Sequence, residues 1–142
     1  MVPKGRPPDS PEASALRGLF PSLGEFAITG EPSAAYNCVA WTLGERRWIE
    51  AGKSIAQVDR FYASRAFRIV SAPVPGEQVV AAFATVRRFT HVALQLEDDP
   101  DWPDWWESKL GQSWRIVHRL HELEGSRYGT VVRFYAKRRD KP

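Results

Sequence analysis

The sequence predicts an α+β domain, and three observations carry that reading. Behind Ser54, the residues Ile55, Val58, Phe61 and Tyr62 recur at helical spacing. From Phe67 onward the period changes: Phe67-Arg68-Ile69-Val70 and Val79-Val80-Ala81-Ala82-Phe83-Ala84 read as strands, parted by Pro73, Pro75 and Gly76. The chain has 142 residues, 43% of them hydrophobic with six Trp and seven Phe, which suits one domain with a sizeable core.

Residues 1–15 combine Pro, Gly, Lys, Ser and Glu with little apolar content, and are expected to form a flexible arm. Residues 16–138 make the single domain and 139–142 a solvated basic tail. Leu16 to Leu23 and Phe26-Ala27-Ile28-Thr29 lead to a turn marked by Gly30, Pro32 and Ser33. Asn37 is placed to cap a helix of about a dozen residues, anchored by Trp41 and Trp48, weakened by Gly44 and ended by Gly52. Ser54 and Gln57 have the form of a capping box, opening a second helix that runs to about Ala63.

His91 to Leu96 reads as the next strand. The acidic, proline-interrupted stretch Asp98 to Asp104 turns it into Trp105-Trp106-Glu107-Ser108-Lys109-Leu110, so the two are expected to pair as a hairpin whose second strand can face His91. Arg115-Ile116-Val117-His118 reads as strand or helix, Leu120 to Leu123 as a short helical turn ended by Gly125, and Thr130 to Tyr135 as a closing strand.

Several function classes lose ground on composition. The longest apolar runs fall far below the roughly 18 residues that span a bilayer, and the N-terminus lacks an apolar signal core. The expectation is a cytoplasmic protein without a membrane partner, with specialised secretion as an effector left open. A single Cys excludes an internal disulfide and a thiol-rich zinc site, so no metal and no cofactor is assigned. The net charge of +3 is spread in scattered pairs rather than a stripe, which disfavours nucleic acid as a partner.

That one cysteine sits in Tyr36-Asn37-Cys38-Val39-Ala40-Trp41, where an extended segment turns into a helix. Unpaired N–H groups and the positive end of the helix dipole stabilise a thiolate there. His91, in Thr90-His91-Val92-Ala93-Leu94, supplies an imidazole from a separate strand that can take the thiol proton and form a reactive ion pair.

Together with Ser108-Lys109-Leu110-Gly111, Glu124-Gly125 and Tyr128-Gly129, these blocks resemble a group of small bacterial domains similar to divergent NlpC/P60-like, papain-like cysteine hydrolases, over about Phe20 to Lys137. The resemblance implies an antiparallel sheet with the nucleophile at the N-terminus of a packed helix. It implies Cys38 as nucleophile, His91 as base, and Ser108 or Glu107 as the polar residue that orients His91. Strand alternation sends Glu107 and Ser108 to opposite faces, so only one can serve. Asn37, Trp41, Lys109 and Trp106 are the candidate substrate contacts. An oxyanion hole is expected to include the Cys38 N–H. The substrate is an amide or ester carbonyl, by resemblance an amide in a peptide, a peptidoglycan stem or a protein side chain.

Blander readings compete with each residue. A cysteine on a helix is commonly a small buried hydrophobe, and a lone histidine a satisfied structural one; the matching blocks favour chemistry. His118 and His121 read as surface or capping residues, although His118 can support the site. Lys109 reads equally as an oxygen-binding group or a solvated strand-end lysine. Trp102, Trp105 and Trp106 read as a lid or docking surface, or as aromatics packed over the core. Tyr128-Gly129 reads as closing a turn before the last strand rather than joining the chemistry. The alternative function is a catalytically inactive papain-like binding or regulatory module that engages a protein partner through this Trp-rich hairpin.

Overall fold

A computed structural model describes residues 2–97 and 104–139. The chain is a mixed α/β domain built on one antiparallel, open sheet of seven strands with three α-helices. The elements run α1 (Ser10–Leu19), β1 (Ala27–Gly30), α2 (Cys38–Thr42), α3 (Ile55–Ser64), β2 (Arg68–Val70), β3 (Glu77–Ala84), β4 (Phe89–Gln95), β5 (Trp105–Lys109), β6 (Arg115–Arg119), a 3₁₀ turn at Leu120–Leu123, and β7 (Thr130–Arg138). The strand order is β1-β6-β5-β4-β3-β7-β2.

The sheet buries both faces. Along β3 the side chains alternate: Val79, Ala81 and Phe83 join Leu16 of α1 and Phe20 just past it on one side, while Val80 and Ala82 join Val39, Ala40, Val58 and Tyr62 of α2 and α3 on the other. A strand covered on both sides reads as a continuous apolar run, which explains the unbroken Val79–Ala84 stretch.

The N-terminal segment departs from the expected arm. Asp9 and Glu12 form a reciprocal capping box, Pro11 sits in the first turn, and Leu16 is completely buried. Ahead of that helix, the Arg6 backbone exchanges hydrogen bonds of 2.9 and 2.8 Å with Ile28. The Arg6 side chain also pairs with Glu12 and Glu31. Composition failed as a guide because two core residues, Leu16 and Phe20, suffice to dock a capped ten-residue helix.

Helix α2 is also shorter than expected, five residues rather than a dozen. Gly44, at φ 69°, takes the left-handed position just past the helix, with Glu45 N–H donating to Ala40 C=O at 3.0 Å and Gly44 N–H to Trp41 C=O at 3.2 Å. This is the Schellman termination that favours glycine. Trp48 lies outside the helix and is 41% exposed, so it anchors nothing.

The Ser54–Gln57 capping box and the helix behind it form as expected, with Ser54 Oγ accepting from Gln57 N–H at 3.2 Å. β4 and β5 pair antiparallel at Leu94↔Glu107 and Gln95↔Trp106, and Arg115 to Arg119 is a strand. Of the expected Asp98–Asp104 turn, residues 98–103, Trp102 among them, lie outside the described residues. Of the expected basic tail, Arg139 pairs with Glu97 at 3.3 Å and the remainder lies outside the described residues.

Candidate functional site

Cys38 is the first residue of α2, and Asn37 caps it. The Asn37 side chain is engaged at both ends: its Oδ1 accepts from Ala40 N–H and Ile49 N–H, both at 3.2 Å, and its Nδ2 donates to Ile49 C=O at 2.7 Å. Asn37 therefore fixes the start of the helix and ties it to the chain at Ile49, with both Oδ1 lone pairs and one of the two Nδ2 hydrogens engaged.

Register decides which residues share a face with His91. His91 stands opposite Phe83, Ser108 opposite Ile116, and Trp106 opposite His118. Directly opposed residues in a sheet point to the same side, and Phe83, Ile116 and Trp106 all belong to the core beneath α1. His91, Ser108 and His118 thus meet on that face, all three buried. Ser108 Oγ lies 2.9 Å from His91 Nε2 and 2.7 Å from His118 Nε2, and His118 Nδ1 lies 2.8 Å from the Arg119 carbonyl. The Tyr128 ring stacks on His91 at 4.2 Å with planes 3° apart.

Glu107 points the other way. It is 2% exposed and pairs with Lys4 at 3.0 Å and Arg115 at 3.2 Å, with no hydrogen bond to His91. Of the two candidates for orienting the imidazole, the geometry brings Ser108 to it and not Glu107.

Helix α2 covers the face opposite the histidines, so the approach of Cys38 to His91 depends on the sheet itself. The pairing of β4 with β5 stops at Leu94↔Glu107 among the described residues, which opens the ladder beside Val92 and His91. Cys38 packs against the cluster that includes Val92 and Val39, and the backbone N–H groups of Val92, Val39 and Cys38 itself act to lower the thiol. Among the described residues no hydrogen bond joins Cys38 to His91; the thiol meets the strand at the residue that follows the histidine.

The electrostatics differ from the expected ion pair. Desolvation by burial pushes the Cys38 thiol up, and the three N–H groups offset this only in part. His91 is held well below its ordinary value of 6.5, first by burial and then by the charge of His118. Burial also brings His118 down to about 4. The resting pair is a neutral thiol and a neutral imidazole, because a low-dielectric setting penalises both charges.

The other expected contacts resolve individually. Lys109 is completely buried rather than solvated; its ammonium donates to the Ser33 carbonyl at 2.7 Å and to the Gly111 carbonyl, and sits 4.8 Å from the centre of the Tyr36 ring. It binds carbonyl oxygens, but those of the protein's own backbone. Trp106 is 2% exposed and packs near Phe134, and Trp105 is 3% exposed beneath the Arg119 guanidinium. Both tryptophans are buried, and Trp106 also lines a cavity of about 500 Å³ with Gln95, Arg119 and Phe134. Trp41 lines a pocket of about 690 Å³ with Leu43, Gln78, Leu94 and Glu107, and its buried Nε1 has no hydrogen-bond partner.

Two residues outside the expected triad stand beside His91: His118, for which a supporting role was open, and Tyr128. His118 is buried in the array instead of lying at the surface, whereas His121 is exposed and pairs with Glu124 at 3.1 Å. Tyr128 packs flat against His91 while its carbonyl accepts from Thr90 Oγ1 at 2.6 Å. A third, Arg115, was not considered: it joins Glu107, Thr29 and Tyr36 and lies 3.9 Å over the Trp41 ring. The available signal was alternation, since His118 and Ser108 fall on the same face once β5 and β6 are paired. Among the described residues no group of three or more His, Cys, Asp or Glu is arranged to hold a metal ion, and no helix is long and apolar enough to cross a membrane.

Fold and site define an α+β domain with a cysteine at a helix start and a buried His-Ser-His array on an antiparallel sheet. The chain belongs to the family described as a domain of unknown function (DUF7689), whose model matches residues 27–136. That span runs from the start of β1 into β7 and includes every residue of the array. No curated protein matches the chain, and no solved structure does.

Proposed function

We propose that the protein is a cysteine-dependent hydrolase or acyl transferase acting in the cytoplasm, a divergent relative of the papain-like, NlpC/P60-like enzymes. Cys38 is the nucleophile, His91 the base and Ser108 the residue that orients His91. The observation that carries this reading is the 2.9 Å contact between Ser108 Oγ and His91 Nε2, on a strand whose next residue, Val92, shares a packed cluster with Cys38.

Because thiol and imidazole are both neutral at rest, deprotonation accompanies attack instead of preceding it. The thiol proton passes to His91 as sulfur forms a bond to the carbonyl carbon and the carbonyl electron pair moves to oxygen. The N–H groups of Val39 and Cys38 at the helix start are suited to stabilise that oxyanion. Collapse expels the leaving group, which takes the proton from His91. Water or an amine, deprotonated by His91, then releases the acyl group and frees the thiol. The substrate class is an amide in a peptide, peptidoglycan stem or protein side chain.

A panel of acyl-peptide p-nitroanilides and p-nitrophenyl esters tests the assignment. Release of chromophore by the native chain, abolished in Cys38→Ala while the far-UV circular dichroism is retained, is the expected outcome. Equal release by both proteins removes the reading.

A further inference from the structure

We infer that hydrogen-bond direction, relayed from a backbone carbonyl through His118 and Ser108, sets the tautomer of His91 and makes His118 a positioning residue for it. The inference rests on the reading of His91 as the base for Cys38.

The relay starts at a group whose role is fixed. The Arg119 carbonyl can only accept, so His118 Nδ1, 2.8 Å away, carries the hydrogen. His118 is buried and neutral, and a neutral imidazole with Nδ1 protonated presents Nε2 as a lone pair. Ser108 Oγ, 2.7 Å from that nitrogen, must therefore donate its hydrogen to it. A hydroxyl has one hydrogen to give. Toward His91, 2.9 Å on its other side, Ser108 can then only accept, so His91 Nε2 carries a hydrogen. His91 Nδ1 is left with its lone pair, and this is the nitrogen available to take a thiol proton.

His91, Ser108 and His118 are buried, so water does not compete for the two bonds between them. The Tyr128 ring, parallel to the imidazole at 4.2 Å, holds the ring plane in which the Ser108 bond is made. Without an acceptor at position 118, the Ser108 hydroxyl is free to donate to His91 Nε2. The His91 hydrogen then moves to Nδ1, which removes the lone pair that the proposed mechanism uses as the base. His118 thus acts on the base through Ser108, without touching the reacting atoms.

The test uses the full chain with ¹⁵N-labelled histidine at pH 7, read by long-range ¹H–¹⁵N correlation. Expected are a protonated Nε2 and bare Nδ1 on His91, and a protonated Nδ1 with bare Nε2 on His118. A His91 protonated at Nδ1 overturns the inference on the native protein alone, whatever the variants do. In His118→Phe, similar in size but unable to accept, His91 is expected to gain the Nδ1-protonated form, and acylation of Cys38 by p-nitrophenyl acetate to fall about 10-fold; an unchanged His91 signature in a folded variant also overturns it. The two readings separate cleanly, since the expected tautomers with no acylation of Cys38 would leave the relay standing and remove the hydrolase.

Discussion

Ser108 Oγ sits between two imidazole nitrogens, 2.9 Å from His91 and 2.7 Å from His118, while its neighbour Glu107 projects through the opposite face of the sheet to Lys4 and Arg115. One residue of strand register separates a positioning role from a structural ion pair. Ser108→Ala is expected to leave both imidazole nitrogens without partners, at a stability cost of about 1–3 kcal/mol, and to slow Cys38 acylation. Glu107→Gln is expected to cost about 3–5 kcal/mol by uncoupling Arg115 while leaving the acylation rate within about twofold. Urea denaturation and burst kinetics on the two variants provide the comparison, and the reverse pattern would transfer the orienting role to Glu107.

Asn37 holds the nucleophile in place without chemistry of its own. Loss of the cap costs about 1 kcal/mol, and the stranded Ile49 N–H and C=O add about 1–3 kcal/mol. Asn37→Ala should therefore lower unfolding free energy by roughly 2–4 kcal/mol, whereas Asn37→Asp should retain the helix cap and recover part of the loss. Chemical denaturation decides this, and a loss under about 0.5 kcal/mol would remove the anchoring role.

The buried titrating groups set limits to stability on both sides of neutrality. His118 falls from 6.5 to about 4 on folding, and His91 shifts the same way. An unfolded chain binds protons that the folded one refuses. The stability this represents is present above about pH 6.5 and lost as pH falls toward 4; for His118 it amounts to about 3 kcal/mol. Cys38 works in the other direction. Its folded value lies above the ordinary 9.0, so its contribution is present below that value and is lost as pH rises through the folded one. Unfolding free energy measured across pH should form a plateau near neutrality with an acid limb, and that limb should flatten in His118→Phe.

The same electrostatics bear on thiol reactivity. Iodoacetamide consumes the thiolate, so alkylation of Cys38 at pH 7 should be slower than that of a free cysteine and should accelerate only above the ordinary thiol range. Alkylation that is fast near pH 6 would show a preformed ion pair and contradict the neutral resting state.

Gly129 supports the site from the rear. At φ 76°, a Cβ built there would stand 2.1 Å from the Ala84 carbonyl oxygen, a backbone atom that cannot step aside. Gly129→Ala should displace Tyr128 from His91 and lower stability by more than about 2 kcal/mol. Thermal unfolding and the His91 ring resonances report the two effects, and an unshifted His91 spectrum would separate Tyr128 from the site.

What was legible in the sequence was local. The Ser54–Gln57 capping box announced α3 because its signal lies within four residues, and the Val79–Ala84 and Thr130–Tyr135 runs announced β3 and β7. The Asp9–Glu12 box carried the same signal for α1, but Pro- and Gly-rich surroundings masked it. Gly44 was visible as a weak point in a helix, and its actual role, a left-handed stop, depends on a backbone angle that composition does not reveal.

For the site, alternation showed that Ser108 and Glu107 cannot both serve. It did not choose between them, because the choice follows from cross-strand register over β3–β4 and β5–β6. His118 was hidden for the same reason: its link to His91 runs through Ser108 and exists only when β6 pairs with β5.

The most direct measurement is the rate of Cys38 acylation by p-nitrophenyl acetate, followed by intact mass with the modified residue mapped, in the native chain and in His91→Ala. The account predicts a single acetyl group on Cys38 and a loss of at least about 100-fold without His91. Acylation of Cys38 at the same rate in both proteins would contradict it, leaving the thiol and the histidine array as unconnected features of one sheet.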